Sequence, residues 1–201
     1  MKLNSFIAAI LFLTLAVFAC SARIKGPFVY SRIYTGSEEI IATDSIRIKI
    51  PRKHENIVLI NDAYTKCAQK GRQIAVDAID SLVVWMPTSP DVRHTIVYFK
   101  PYGWCWLLEK TPRITVFVFC KNGYRMWGNG GIQACGKYIL LAVKDGSVTE
   151  FKKTWKMSDD SFRRKVADLV ADDPVLGAEI IKSRTRRDKT LRMLRLYNPV
   201  Y

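Results

Sequence analysis

The chain has 201 residues, with 32 Lys and Arg against 18 Asp and Glu, so its formal net charge is +14 at neutral pH. Its content of 49% hydrophobic and 25% charged residues is typical of a folded globular protein and excludes a disordered, collagenous or coiled-coil chain. Only two histidines, His54 and His94, are available for metal binding or for acid–base chemistry near pH 7. The sequence predicts a non-catalytic protein with no metal and no cofactor.

The N-terminal residues have the pattern of a secretory signal peptide. Lys2 precedes an apolar run over 6–19 that is broken only by Thr14. As a helix this run would rise about 21 Å, which is shorter than the roughly 30 Å hydrocarbon core of a bilayer but typical of a signal sequence. We therefore predict that residues 1–22 are a signal peptide and that the protein is exported to the periplasm or the outer membrane.

Two cleavage sites compete within this peptide. Val17-Phe18-Ala19-Cys20 resembles a bacterial lipobox, in which the cysteine thiol receives diacylglycerol, although Phe18 stands where a small residue is usual. Cys20-Ser21-Ala22 offers instead the small residues that an ordinary signal peptidase needs. The first site predicts a lipid anchor on Cys20, and the second predicts simple cleavage.

Short runs rich in Val, Ile, Phe, Tyr and Trp, separated by turn residues, predict antiparallel strands. The predicted strands are 45–50, 57–60, 81–86, 95–100, 104–108, 114–120, 138–144 and 147–151. Asn122-Gly123 and Asp145-Gly146 suit type I′ turns, so each predicts a hairpin. The segment 63–79 is compatible with a helix, but Lys70-Gly71 favours another hairpin there.

The hydrophobic period changes to about 3.6 after Trp155, which predicts three short helices. Their inward residues are expected to be Phe162, Val166, Leu169 and Val170, then Leu176, Ile180 and Ile181, then Leu191, Leu194 and Tyr197. The expected N-caps lie within 158–161 and at Asp173. The predicted fold is thus α+β: an antiparallel β domain over 23–155, as a curled sheet or small sandwich, followed by a helical C-terminal unit over 156–201.

The C-terminal segment contains Phe162-Arg163-Arg164-Lys165-Val166, then Asp172-Asp173-Pro174, and finally Leu196-Tyr197-Asn198. This segment of about 60 residues resembles the end of uncharacterised exported bacterial envelope proteins, in which short helices follow a β domain. The resemblance implies a bacterial envelope origin. It implies no activity and no catalytic residue.

Besides Cys20, the chain has four cysteines, Cys67, Cys105, Cys120 and Cys135. A hairpin near Thr111-Pro112 would place Cys105 and Cys120 on neighbouring strands, which predicts a disulfide in an exported protein. The alternative is that these cysteines are small buried hydrophobic residues. Cys105 with His94 is the one conceivable nucleophile–base pair, but no catalytic motif surrounds either residue.

Two groups of residues are candidates for ligand binding. Trp104 and Trp106 lie two apart on one predicted strand and would share a face near Trp127, which predicts either an aromatic platform for sugars or part of the core. The glycine-rich loop over 128–131 lies between predicted strands, which favours a turn over a phosphate-binding loop.

The second candidate group for ligand binding is basic and consists of Arg184, Arg186, Arg187, Lys189, Arg192 and Arg195.

Three helices with a basic last helix have the outline of a helix-turn-helix, but export argues against a nucleic-acid partner. Outside the cytoplasm, a basic surface is expected to meet anionic lipid, lipopolysaccharide or acidic glycans. The sequence therefore predicts a non-catalytic envelope protein that acts in surface binding or assembly. The alternative is a carbohydrate-binding module that uses an exposed Trp/Tyr platform.

Overall fold

The computed structural model describes residues 29–35, 38–61 and 73–197. The predicted signal peptide with Cys20, the predicted turn at Lys70-Gly71, and Cys67 lie outside these residues.

Strands make up most of the described residues up to Phe151. They are β1 (Val29–Thr35), β2 (Glu38–Ile48), β3 (Ile57–Asn61), β4 (Gln73–Ile74), β5 (Ser81–Met86), β6 (Ser89–Phe99), β7 (Gly103–Lys110), β8 (Ile114–Cys120), β9 (Tyr124–Met126), β10 (Ile132–Ala134), β11 (Tyr138–Lys144) and β12 (Ser147–Phe151). In the described residues, ten of them form one antiparallel sheet in the order β12-β11-β8-β7-β6-β5-β1-β2-β3-β4, and β9 pairs with β10 in a separate small sheet. Three helices follow, which confirms the predicted α+β fold.

β1 and the first part of β2 were not predicted from the sequence. The inward positions of β1 are Val29, Ser31 and Ile33, and all three are buried. Ser31 is polar and its hydroxyl donates to the backbone carbonyl of Arg32 at 3.3 Å. A polar residue at an inward position hides the alternation on which strand prediction depends.

The two predicted hairpins had different outcomes. Asp145-Gly146 has positive φ angles at both residues and joins β11 to β12, with Lys144 opposite Ser147, so this hairpin is confirmed. The turn at Gly123 also forms, because its backbone N–H donates to Cys120 O at 2.9 Å. The hairpin predicted there is wrong, since β8 already pairs with β7 and β11, and β9 pairs with β10 instead.

The two faces of the sheet are built from alternate residues. Val116 and Val118 of β8 belong to the main core, which also contains the buried residues of the helices. Phe117, between them, lies on the opposite face in a smaller cluster with Cys105 and Leu141. The helices therefore cover the face that carries Val116 and Val118.

The alternation of faces also corrects the predicted disulfide. Cys105 and Cys120 are buried free thiols. Cys105 lies opposite Phe119 in the β7–β8 register, so the side chain of Cys120, the next residue, points to the other face. The two strands are neighbours, as predicted, but the Cβ vectors diverge and the bridge is wrong for this fold.

The helices are α1 (Asp159–Leu169), α2 (Pro174–Lys182) and α3 (Arg187–Met193), and a 3-10 turn at Leu194–Leu196 follows. The side-chain oxygens of Ser158 and Asp173 accept hydrogen bonds from the N–H groups of Ser161 and Leu176, at 3.2 and 3.0 Å. Both predicted N-caps are therefore confirmed.

One side of these three helices packs on the sheet. Phe162 is fully buried, and its ring meets the ring of Phe151 of β12 edge-on at 6.1 Å between centroids. The buried helical residues in the main core include Phe162, Val166, Leu176, Ile180, Leu191 and Leu194. Their burial fixes which side of residues 158–197, hereafter the helical unit, faces solvent.

Candidate functional site

Arg187 is part of the inner structure of the helical unit. Its guanidinium donates to the carbonyls of Thr154, at 2.8 Å, and Met157, and to the Asp159 carboxylate at 3.1 Å. The same group lies over the ring of Phe162, 5.6 Å from the centroid. Each of the three guanidinium nitrogens of Arg187 thus has an acceptor in the fold, so the structure removes it from the predicted surface group.

Arg195 is likewise engaged by the fold. Its Nε donates to Glu109 Oε1 at 2.9 Å, and this carboxylate on β7 is only 7% exposed. The hydrogen bond to Glu109 raises the pKa of Arg195 above its usual range. Arg195 therefore neutralises a buried carboxylate and ties the last turn of the helical unit to the sheet.

Four of the six predicted cations remain available at the surface. Arg184, Arg186, Lys189 and Arg192 are exposed, and none has an ion-pair partner within the part of the chain that the structure describes. Arg186, Lys189 and Arg192 are spaced three residues apart, which places them along one side of α3. The one carboxylate in this stretch, Asp188, leaves the group with an excess of positive charge.

The linker between α2 and α3 holds these cations on a fixed backbone. The Ser183 and Thr185 hydroxyls lie 3.0 Å apart, and the Thr185 and Thr190 hydroxyls lie 2.9 Å apart. Arg163 of α1 donates to the Thr185 carbonyl at 2.8 Å. Arg184 and Arg186 flank Thr185, so both are presented from a hydrogen-bonded linker.

Large aliphatic residues also face solvent in the helical unit. Val175 is 71%, Ile181 51% and Leu196 64% exposed. Ile181 was predicted to point inward, but Leu176 and Ile180 are four residues apart and together form the buried side of α2. Ile181 follows about 100° further round the helix and faces out. The sequence reasoning missed these three residues, although helical spacing relative to Ile180 was a usable signal for Val175 and Ile181.

We refer to Arg184, Arg186, Lys189 and Arg192, with Val175, Ile181 and Leu196, as the outer helical surface. It combines Lys and Arg, whose long side chains carry the charge at the tip, with exposed aliphatic side chains. This composition is typical of protein surfaces that bind lipid head groups.

A group of hydrogen bonds links the helical unit to Lys144 of β11. Lys144 Nζ contacts Asp172 Oδ1 at 2.5 Å and donates to the Leu169 carbonyl at 2.9 Å, and the Tyr197 hydroxyl donates to Asp172 Oδ2 at 2.5 Å. The hydrogen bonds from Lys144 and Tyr197 lower the pKa of Asp172 to about 2. The buried ring of Tyr197, predicted to point inward, is confirmed there.

The predicted tryptophan platform is not assembled. Trp104 is 0% exposed, and its Nε1 donates to the Glu55 carbonyl at 2.9 Å. Trp106 is on the same face, as predicted, and half-buried. Trp127 is 45% exposed, and the Arg125 guanidinium lies 4.4 Å from the centre of its ring. Because Trp104 is buried in the core, it cannot stack on a sugar ring.

The glycine-rich loop and His94 support each other structurally. The His94 ring Nε2 lies 2.8 Å from the Gly130 carbonyl oxygen. Gly130 has φ +79°, and a Cβ at this position would lie 2.6 Å from Cβ of Val92, so only glycine fits. The loop connects β9 and β10, as the turn prediction requires.

Cys105 and His94 do not form a nucleophile–base pair. Cys105 pairs in register with Val97 of β6, whereas His94 is three residues from Val97 and therefore faces the other side of the sheet. Burial raises the pKa of the Cys105 thiol to about 12, so the thiol stays protonated at neutral pH.

Within residues 29–35, 38–61 and 73–197, no group of three His, Cys, Asp or Glu side chains is placed to hold a metal ion. No helix in that part of the chain is both long enough and apolar enough to cross a bilayer.

Comparisons of the chain with protein-family models, with characterised proteins and with solved structures found no match.

Proposed function

We propose that this is an exported, non-catalytic bacterial envelope protein that binds the surface of an anionic phospholipid bilayer through the outer helical surface. The observation that carries the proposal is the division among its cations. Arg187 and Arg195 have partners in the fold, whereas Arg184, Arg186, Lys189 and Arg192 are exposed and have none among the described residues. Export is supported by the apolar run over 6–19 and the small residues after it.

The expected affinity can be estimated from the charges. Each basic residue near an anionic bilayer contributes about 1 kcal/mol, so four contribute about 4 kcal/mol, which corresponds to binding in the millimolar range. Partial burial of Val175, Ile181 or Leu196 among the lipids would add about 1 kcal/mol for each side chain. The sum describes reversible binding that salt weakens, because charges separated by more than about 8 Å are screened at physiological ionic strength.

The test is cosedimentation of the unlipidated protein with vesicles of phosphatidylglycerol and phosphatidylcholine, and with vesicles of phosphatidylcholine alone, at low and high salt. The variant carries Arg184→Gln, Arg186→Gln and Arg192→Gln. Its matched control carries Lys110→Gln, Lys121→Gln and Lys152→Gln, which remove the same net charge from exposed positions of the β domain.

We expect the wild type to bind the anionic vesicles at low salt and to dissociate at high salt. Loss of three cations worth about 1 kcal/mol each should weaken binding by about a hundredfold, and the control should weaken it only slightly. Equal weakening by the two triple variants would contradict the proposal, because binding would then depend on net charge alone. Binding confined to lipopolysaccharide or glycans in the same assay would also contradict it.

A further inference from the structure

A cavity of about 350 Å³ lies between the helical unit and the sheet. Trp106 of β7, Val118 of β8 and Leu140 of β11 line it from the sheet, Ala134 of β10 lines it from the small sheet, and Leu191 lines it from α3. A cavity of roughly 150 Å³ suffices to bind benzene, and ligand pockets begin at roughly 300 Å³. This cavity is therefore large enough for a small apolar ligand.

Two of the polar side chains that line the cavity, Thr154 and Arg187, are already satisfied by the protein, and Gln133 and Tyr138 line it as well. The buried Thr154 hydroxyl donates to the Phe151 carbonyl and accepts from the Leu140 N–H at 3.2 Å. Arg187 uses its guanidinium on two carbonyls and on Asp159. A polar ligand group placed beside Thr154 and Arg187 would lose its water without gaining a partner, which is unfavourable. Because most of the other lining residues are apolar, the part of a ligand that enters the cavity is expected to be a hydrocarbon.

The opening of the cavity carries charges. Asp188 lines the cavity and is exposed, so it lies at the opening. Arg192 follows one helical turn later on the same side of α3, and Lys189 is adjacent to Asp188. Both cations are exposed, and neither has an ion-pair partner among the described residues. Asp188 lines the cavity and the two cations only neighbour it, but they outnumber this carboxylate, which favours an anionic head group over a cationic one.

We propose that the cavity binds the hydrocarbon chain of an anionic amphiphile, a fatty acid or an anionic lipid, with the head group near Lys189 and Arg192. The proposed site for the hydrocarbon chain depends only on the cavity. The head-group contact rests on the proposed function, because it uses cations of the outer helical surface.

Trp106 supplies the readout, because a bromine atom on a bound chain quenches the fluorescence of a contacting indole. The probe is terminally brominated dodecanoate below its micelle concentration, with unbrominated dodecanoate as the competitor. We expect saturable quenching that the competitor reverses and that Trp106→Phe removes. The absence of saturable quenching in the folded wild type would overturn the proposal.

Filling the cavity tests the location of the site. Ala134→Phe places a ring in the cavity and should weaken binding of the brominated probe by about tenfold or more. Ala78→Phe adds the same ring at an exposed position and should leave binding of the probe unchanged. Ala134→Leu is a second cavity-filling change that adds no indole, and thermal unfolding shows which variants are folded. Undiminished quenching in either folded cavity variant would overturn the proposal.

The head group is tested with brominated dodecylammonium. Tighter binding of this cation than of the carboxylate would overturn the anionic assignment, since Asp188 would then be the partner. The hydrocarbon chain could belong to a free fatty acid or to a membrane lipid, and phosphatidylglycerol vesicles brominated on one acyl chain distinguish these two sources. Quenching by soluble dodecanoate alone assigns the site to a free amphiphile, and quenching by the vesicles as well assigns it also to a membrane lipid.

The two proposals fail separately in these experiments. Loss of vesicle cosedimentation by the arginine variant concerns the outer helical surface, whereas loss of quenching in Ala134→Phe concerns the cavity. A protein that sediments with anionic vesicles but shows no quenching would keep the proposed function and lose the cavity site.

Discussion

The inner side of the helical unit, which packs on the sheet, and its outer side, which meets solvent, both contain arginines and large aliphatic residues. On the inner side Arg187 has three hydrogen-bond acceptors, and Ile180 is fully buried. On the outer side the adjacent residues Arg186 and Ile181 are exposed. Residue type alone therefore does not assign a role in the helical unit. A difference of one position along a helix decides whether an arginine stabilises the fold or is available to a ligand.

The largest expected effect comes from the inner side. Phe162→Ala removes a fully buried ring that meets Phe151, and should lower the free energy of unfolding by about 3–5 kcal/mol in chemical denaturation. Val175→Ala, at a position that is 71% exposed, should change it by less than about 0.5 kcal/mol. Similar values for the two variants would show that the two sides are not distinct.

Adjacent arginines give the sharpest form of the comparison. Arg187→Gln removes hydrogen bonds from a charged donor to Thr154, Met157 and Asp159, and should cost about 1.5–3 kcal/mol of folding free energy. Arg186→Gln should cost less than about 0.5 kcal/mol. Denaturant titration of both variants measures this difference, and a larger loss for Arg186→Gln would reverse the assignment of the two residues.

The contact between the helical unit and β11 should depend on pH through Asp172. Its pKa falls from 3.8 to about 2 because Lys144 and Tyr197 donate hydrogen bonds to the carboxylate. A carboxyl group whose folded pKa is lowered adds stability above its unfolded value, and loses that stability as the pH falls from about 4 to about 2.

Asp172→Asn should therefore lower the thermal midpoint at pH 7 and have little effect near pH 2. Thermal unfolding of wild type and variant across this range measures the contribution of the carboxylate. An equal difference between the two proteins at both pH values would indicate that the hydrogen-bonded charge is not its source.

The smallest effect on stability is expected for Ile181→Gln. The side chain is 51% exposed, so the free energy of unfolding should change by less than about 0.5 kcal/mol. Cosedimentation with anionic vesicles should nevertheless weaken by about fivefold, because about 1 kcal/mol of apolar contact with the lipids is lost. Ala178→Gln, on an exposed part of the same helix, is the control. Unchanged sedimentation would remove Ile181 from the outer helical surface.

Parts of the candidate site were predictable because they depend on local spacing. The inward positions of Leu191 and Leu194 follow from helical periodicity and are buried, which leaves Lys189 and Arg192 facing out. The engagement of Arg195 was not predictable, because its partner Glu109 lies 86 positions away in the sequence. Periodicity carries no information about contacts over such separations.

Local sequence patterns were enough for the α+β class, for strands β5 to β8, β11 and β12, for the Asp145-Gly146 hairpin and for the helix caps, since each depends on residues only a few positions apart. Tertiary structure alone decided the rest. It placed Cys105 and Cys120 on opposite faces, because register fixes the direction of every side chain in a sheet. It buried Trp104, and it formed the cavity where β7, β8, β10 and β11 meet the helical unit. These features arise from how whole elements pack, and that packing depends on contacts between distant parts of the chain.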